Sequence, residues 1–93
     1  APDAQAIFCS SDLLALGVMT EARARGLTVP DDIAVVGFDD SLLSQTHRPA
    51  ITTVRQDIVG LGAAAAETMI ALLQDKTPKL EMLDTEIMIR ESA

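Results

Sequence analysis

Two aspartates follow directly on an apolar run. Residues Ile33 to Phe38 carry no polar side chain, and Asp39 and Asp40 come next. A run of that length is what a folded domain buries, whereas a carboxylate leaves water only when something partners it. The pair could meet the donors of a ligand, divide acid and base between them, or simply open a surface loop. Acid–base work needs two environments that drive the pKa values apart. Neighbours at a strand end point apart, so a catalytic pair is not expected. A second oxygen-rich group, Ser10, Ser11 and Asp12, follows the apolar residues Ala6 to Cys9. Neither serine has the glycine-flanked elbow of a nucleophile.

Other chemistry is sparser still. His47 is the single histidine and stands among Ser, Gln, Thr, Arg and Pro, while Cys9 is the single cysteine. Clustered metal ligands are missing, so neither a metal site nor a catalytic residue is expected. Residues 60–65, GLGAAA, match the G-x-G-x-x-A form of the dinucleotide fingerprint. That pattern should follow a buried strand and meet an acidic residue about 20 positions on. Glu81 stands at about that distance. The helical pattern from Asp57 begins before Gly60, however, so the glycines fall inside a helix and serve close packing. No cofactor is expected.

The 93 residues suit one small domain or a piece of a larger one, and 48% of them are hydrophobic, enough for a core. Net charge is −7 with acidic residues spread along the chain, and Phe8 and Phe38 are the only aromatics. A phosphate backbone would be repelled, and stacking platforms are few, so this piece does not itself grip nucleic acid. A lone cysteine fits a reducing cytoplasm. No stretch approaches a membrane span and no signal peptide is visible. The chain opens without Met, as a processed product or an excised piece would.

The elements that position these groups read as follows. Residues 6–9 form a short buried strand, and Ser10 or Ser11 caps a helix running to about Arg25, with Gly26 as its left-handed stop. Pro30 fixes a connector. Ile33 to Phe38 is a second strand, apolar as strands covered on both faces are. Strand, helix and strand make a right-handed βαβ unit with parallel strands. An irregular stretch from Ser41 ends at Pro49, and residues 52–56 look extended. Asp57 caps a long helix ending between Asp75 and Pro78, and Leu83 to Arg90 alternates as a further strand. Ligands of parallel α/β sheets bind at the carboxyl ends of the strands. Ser10 to Asp12 and Asp39 to Asp40 both leave such ends, beside the positive pole of the first helix. Oxygens gathered there suit a ligand rich in donors, such as a sugar or a nucleobase. The first helix is apolar on every side from Leu13 to Met19, so a surface beyond the sheet must cover it.

The residues AIFCSSDLLALGVMTEARARGLTVPDDIAVVGFDD, RPAITTVRQDIVGLGAAAAETMIALL and LDTEIMIRES closely resemble the effector-binding core of lactose-repressor-type (LacI/GalR) transcription regulators, in its C-terminal part. Sugar-binding proteins of transport systems share the fold but usually lack V-P-D-D and T-T-V-R-Q, which makes them the runner-up. The resemblance implies an α/β fragment of a two-lobed, periplasmic-binding-protein-like fold with a parallel sheet and the ligand between the lobes. Residues 1–56 would be the βαβ portion of the C-terminal lobe plus a hinge crossing. Residues 57–78 would be a helix of the N-terminal lobe, and 79–93 the returning strand of the C-terminal lobe. A helix-turn-helix domain that binds DNA would lie outside the chain. By the same resemblance Asp39 accepts hydrogen bonds from the effector, with Gln56, Ser11 and Asp12 as further candidates. Ser11 stands where many sugar-responsive members have asparagine, which reaches further and offers both donor and acceptor. Asp12 also has a simpler role at the helix dipole. Leu13, Leu16, Gly17, Leu42, Leu43 and His47 would lie at a homodimer interface. The function implied is small-metabolite sensing by a cytoplasmic, non-enzymatic regulator of operator binding.

Overall fold

The computed structural model describes residues 3–79 and 82–93. Glu81, the acidic residue of the dinucleotide pattern, lies outside them. The chain divides into two compact units, Ala1–Arg55 with Glu86–Ala93, and Gln56–Thr85.

In the first unit β1 (Ala6–Phe8) leads into α1 (Asp12–Ala24), then β2 (Ala34–Phe38), α2 (Leu42–Thr46) and β3 (Thr52–Gln56). β1 pairs with β2 and β2 with β3, both parallel, with Ile7 opposite Val35 and Gly37 opposite Thr53. The fourth strand, β4 (Thr85–Met88), completes a sheet of order β1-β2-β3-β4. Ser11 is the N-cap of α1, its hydroxyl accepting from Leu14 N at 3.1 Å. Gly26 stops the helix at φ 74°, where Gly26 N reaches Arg23 O and Leu27 N reaches Ala22 O. That pair of bonds satisfies two carbonyls the helix end would otherwise leave open.

Ala15, Met19, Val35, Ile51 and Cys9 form the core, with Ile7, Val18 and Val29 packed against it. The sequence suggested cover on both faces of β2. Instead Val35 and Gly37 are buried while Ala34, Val36 and Phe38 are half-buried, because α1 covers one face alone. The stretch from Ser41, expected to be irregular, holds the short helix α2, which lacks a side-chain cap bond. Such a turn depends on tertiary contacts, and Ser44 within it is fully buried. The expected strand from Leu83 to Arg90 is shorter, as β4. After it Ser92 is buried, its hydroxyl donating to Val35 O and accepting from Thr52 N, so the last residues lock onto the starts of β2 and β3.

The second unit contains α3 (Ile58–Leu73). Asp57 is its N-cap and accepts from Gly60 N at 2.9 Å, which places the GLGAAA glycines inside the helix. None of its residues is buried, although its side chains are largely apolar.

Gly37 is where β2 lets α1 approach. A Cβ there would overlap Oδ1 of Asp12 and stand 3.1 Å from its Cα. Gly37→Ala in the full-length protein is expected to lower the free energy of urea unfolding by about 1–3 kcal/mol, the usual cost of overpacking. An unchanged midpoint would show that α1 can shift to make room.

Candidate functional site

Parallel pairing brings the carboxyl ends of β1, β2 and β3 to one edge, and three carboxylates stand in the first unit there. They face three ways. Asp12, the first residue of α1, is 2% exposed. Its Oδ2 accepts from Ser41 N and Ser41 Oγ, both at 2.7 Å, and its Oδ1 from Thr53 Oγ1 at 2.6 Å. The sequence placed Asp12 among the ligand candidates. The structure turns it inward, because a carboxylate beneath α1 must be satisfied by its own chain.

Asp40 is bound sideways. Arg55 Nε donates to its Oδ2 at 2.7 Å and Arg90 Nη2 to its Oδ1 at 2.6 Å, and its side chain is only 6% exposed. Arg90 Nη1 also donates to Ser44 Oγ at 3.0 Å and to Ile51 O at 3.1 Å. Asp40 N donates to Thr53 Oγ1 at 3.2 Å, which joins this cluster to Asp12. Sequence reasoning missed both arginines. They lie 15 and 50 residues along the chain from Asp40, and no local pattern marks them.

Asp39 lies exposed at the rim, its backbone N donating to Val54 O at 2.9 Å. Asp39 and Asp40 have φ of 104° and 50°. Left-handed backbone costs an L residue on the order of 1–3 kcal/mol and persists only where its surroundings fix it. Ser11, half-buried, uses its oxygen as the helix cap and keeps a hydroxyl proton to donate.

Gln56 is half-buried and belongs to the second unit. With Asp57, Leu61, Leu83, Asp84 and Thr85 it lines a cavity of about 520 Å³ there. The suggested interface residues lie on the first unit. Leu13 is 71% and Leu42 74% exposed, Gly17 is exposed, and Leu16, Leu43 and His47 are half-buried. Leu13 and Gly17 open onto an apolar groove of about 530 Å³ with Leu14, Val18, Ile7 and Ile33. His47 Nδ1 lies 3.1 Å from Pro49 O. Among the described residues no His, Cys, Asp or Glu cluster could hold a metal ion, and no helix is long and apolar enough to cross a membrane.

The family model described as periplasmic binding protein-like domain matches residues 1–93. The chain belongs to that family. Its relatives are LacI-type helix-turn-helix regulators, as the sequence resemblance implied. It is 39% identical over 89 residues to the probable HTH-type transcriptional repressor ExuR of Bacillus subtilis, covering 94% of this chain and 27% of that protein. Among solved structures, the transcriptional regulator CelR–cellobiose complex superposes with TM-score 0.87 at 37% identity, over 100% of this chain and 29% of that one. The lac repressor dimer bound to operator and the anti-inducer ONPF superposes with TM-score 0.83 at 32% identity, over 95% and 31%. The chain thus spans under a third of the length of these relatives.

Asp40 generates a pH prediction. Burial pushes its carboxyl up, but hydrogen bonds from Arg55 and Arg90 and the charges behind them outweigh this and hold it below the ordinary value of 3.8. With the folded value below the unfolded one, the ionised group stabilises the fold above pH 3.8. That share is lost as pH falls through the lower folded value. The stability advantage of wild type over Asp40→Asn should therefore be constant near neutrality and shrink as urea unfolding is repeated below about pH 4. A difference unchanged down to pH 2.5, on the order of the most depressed carboxyls, would contradict the assignment.

Proposed function

We propose that the chain is part of the effector-sensing core of a DNA-binding transcription regulator, and that its effector is a sugar or a related polyhydroxy metabolite. The observation that carries this reading is the setting of Asp39. It is the exposed carboxylate at the carboxyl edge of the sheet, on a turn whose neighbours are fixed by internal bonds. The chain around it resembles, over its whole length, a regulator complexed with cellobiose. A carboxylate accepts two or more hydroxyl donors without supplying any, which suits a sugar. Ser11 would add one donor at the same edge, and Gln56 is proposed as a polar contact on the resemblance alone. The protein binds this ligand without turning it over.

Binding would act by preference. A ligand that favours one arrangement of the lobes shifts the population toward it, and operator affinity changes by the same coupling free energy. DNA is met through a helix-turn-helix domain outside these residues, in the cytoplasm. Leu13, Leu16, Gly17, Leu42, Leu43 and His47 are proposed as the homodimer surface, supported by exposed leucines no monomer needs to leave in water. The unburied apolar side chains of α3 are proposed to pack on the rest of the sensor core, as the N-terminal-lobe segment 57–78.

A thermal-shift panel of cellobiose, sucrose and glucose on the full-length protein tests this. At 100 times its dissociation constant a sugar should stabilise by about 2.7 kcal/mol, and Asp39→Ala should lose that shift. Equal shifts in both proteins would overturn the role of Asp39, and no shift with any of the three would overturn the sugar class. Sedimentation of the same protein at micromolar concentration is expected to give a dimer that Leu16→Glu dissociates. A clean monomer would remove the interface.

A further inference from the structure

Asp40 gathers more of the chain than a loop residue needs to. Arg55, on its Oδ2, is the last residue of the first unit before the chain leaves it, and Arg90, on its Oδ1, follows shortly after Glu86, where the chain returns. Outgoing and returning segments are therefore tied to one carboxylate. That carboxylate belongs to the neighbour of Asp39. The turn carrying both aspartates is left-handed at each and is held along its backbone by β3, through Asp39 N to Val54 O and Asp40 N to Thr53 Oγ1. Arg90 is doubly tied, since its backbone N donates to Thr52 Oγ1 at 2.8 Å.

We propose that Asp40 is a positioning residue whose carboxylate locks the two connecting segments, through Arg55 and Arg90, to the turn that presents Asp39. The proposal rests on the reading of Asp39 as the effector contact. A ligand drawing on Asp39 can then move the turn only together with Arg55 and Arg90, so occupancy is transmitted to both connections at once. Asp40 itself touches no ligand. Each of its oxygens takes one guanidinium, with Ser44 Oγ also on Oδ1, and exchange of either arginine would loosen one connection together with the turn that carries Asp39.

Hydrogen–deuterium exchange on the full-length, ligand-free protein tests this. Asp40→Asn is expected to speed exchange about ten-fold or more in residues 39–41, 52–56 and 88–93 together, with the amides of α1 unchanged. Arg55→Gln should reproduce the effect in 39–41 and 52–56, and Arg55→Lys, which keeps a cation there, should restore most of the protection. Faster exchange confined to 39–41 overturns the proposal, and so does a uniform rise that includes α1. Should Asp40→Asn fail to fold, the Arg55 pair carries the same test, since Arg55 is the more exposed partner. The sugar panel, run on Asp39→Ala, separates the two claims. Sugar binding at wild-type strength there sinks the effector reading whatever the exchange shows. Loss of binding there without the exchange pattern sinks only the positioning role.

Discussion

The fold depends on satisfying one buried carboxylate. Asp12 sits at the start of α1 beneath the sheet edge and needs three donors, which come from Ser41 and Thr53. Much else is a consequence. Gly37 must lack a side chain because that carboxylate passes it. Ser41 must follow the β2 turn closely enough to offer both its amide and its hydroxyl. Thr53 must face the sheet edge at full burial. Removing the acceptor would take the partner of three donors, at about 1–3 kcal/mol for each donor left buried and unsatisfied. Helix, turn and strand are thereby fixed to one another before any ligand arrives.

Three carboxylates stand at one edge in different settings. Asp12 accepts from hydroxyls and an amide, Asp40 from two guanidinium groups, and Asp39 is exposed at the rim. Groups ordered in advance in this way lower the conformational cost of a contact made at the rim. The same arrangement stores backbone strain at Asp39 and Asp40, and the arginine pair supplies the compensation. Strain held next to an exposed polar group is where a small contact can have a large conformational readout.

The sequence made the local devices legible. Ser11 and Asp57 stand where caps are needed and do cap, Gly26 adopts the left-handed stop, and the apolar run before Asp39 forms β2, between β1 and β3 and buried on one face. The apolar encirclement of α1 was legible too, and the exposure of Leu13 is its structural counterpart. Family membership followed from the order and spacing of V-P-D-D, G-F-D-D and T-T-V-R-Q. Partnerships across long separations were not legible. Arg90 meets Asp40 from 50 residues away, and Ser92 plugs β2 from 57. Nor was α2, whose five residues are too few to hold a helix alone and include the fully buried Ser44. The internal partners of Asp12 were hidden for the same reason. A carboxylate after two serines looks available until the hydroxyls of residues 41 and 53 are brought to it.

The central claim is that Asp39 meets the ligand while Asp12 and Asp40 hold the frame. A crystal structure of the full-length protein with whichever panel sugar stabilises it tests this most directly. Sugar hydroxyls are expected within hydrogen-bond distance of the Asp39 carboxylate, with Asp12 still on Ser41 and Thr53 and Asp40 still on Arg55 and Arg90. A sugar bound through Asp12 or Asp40 with those internal bonds broken, or bound away from Asp39 altogether, would contradict it.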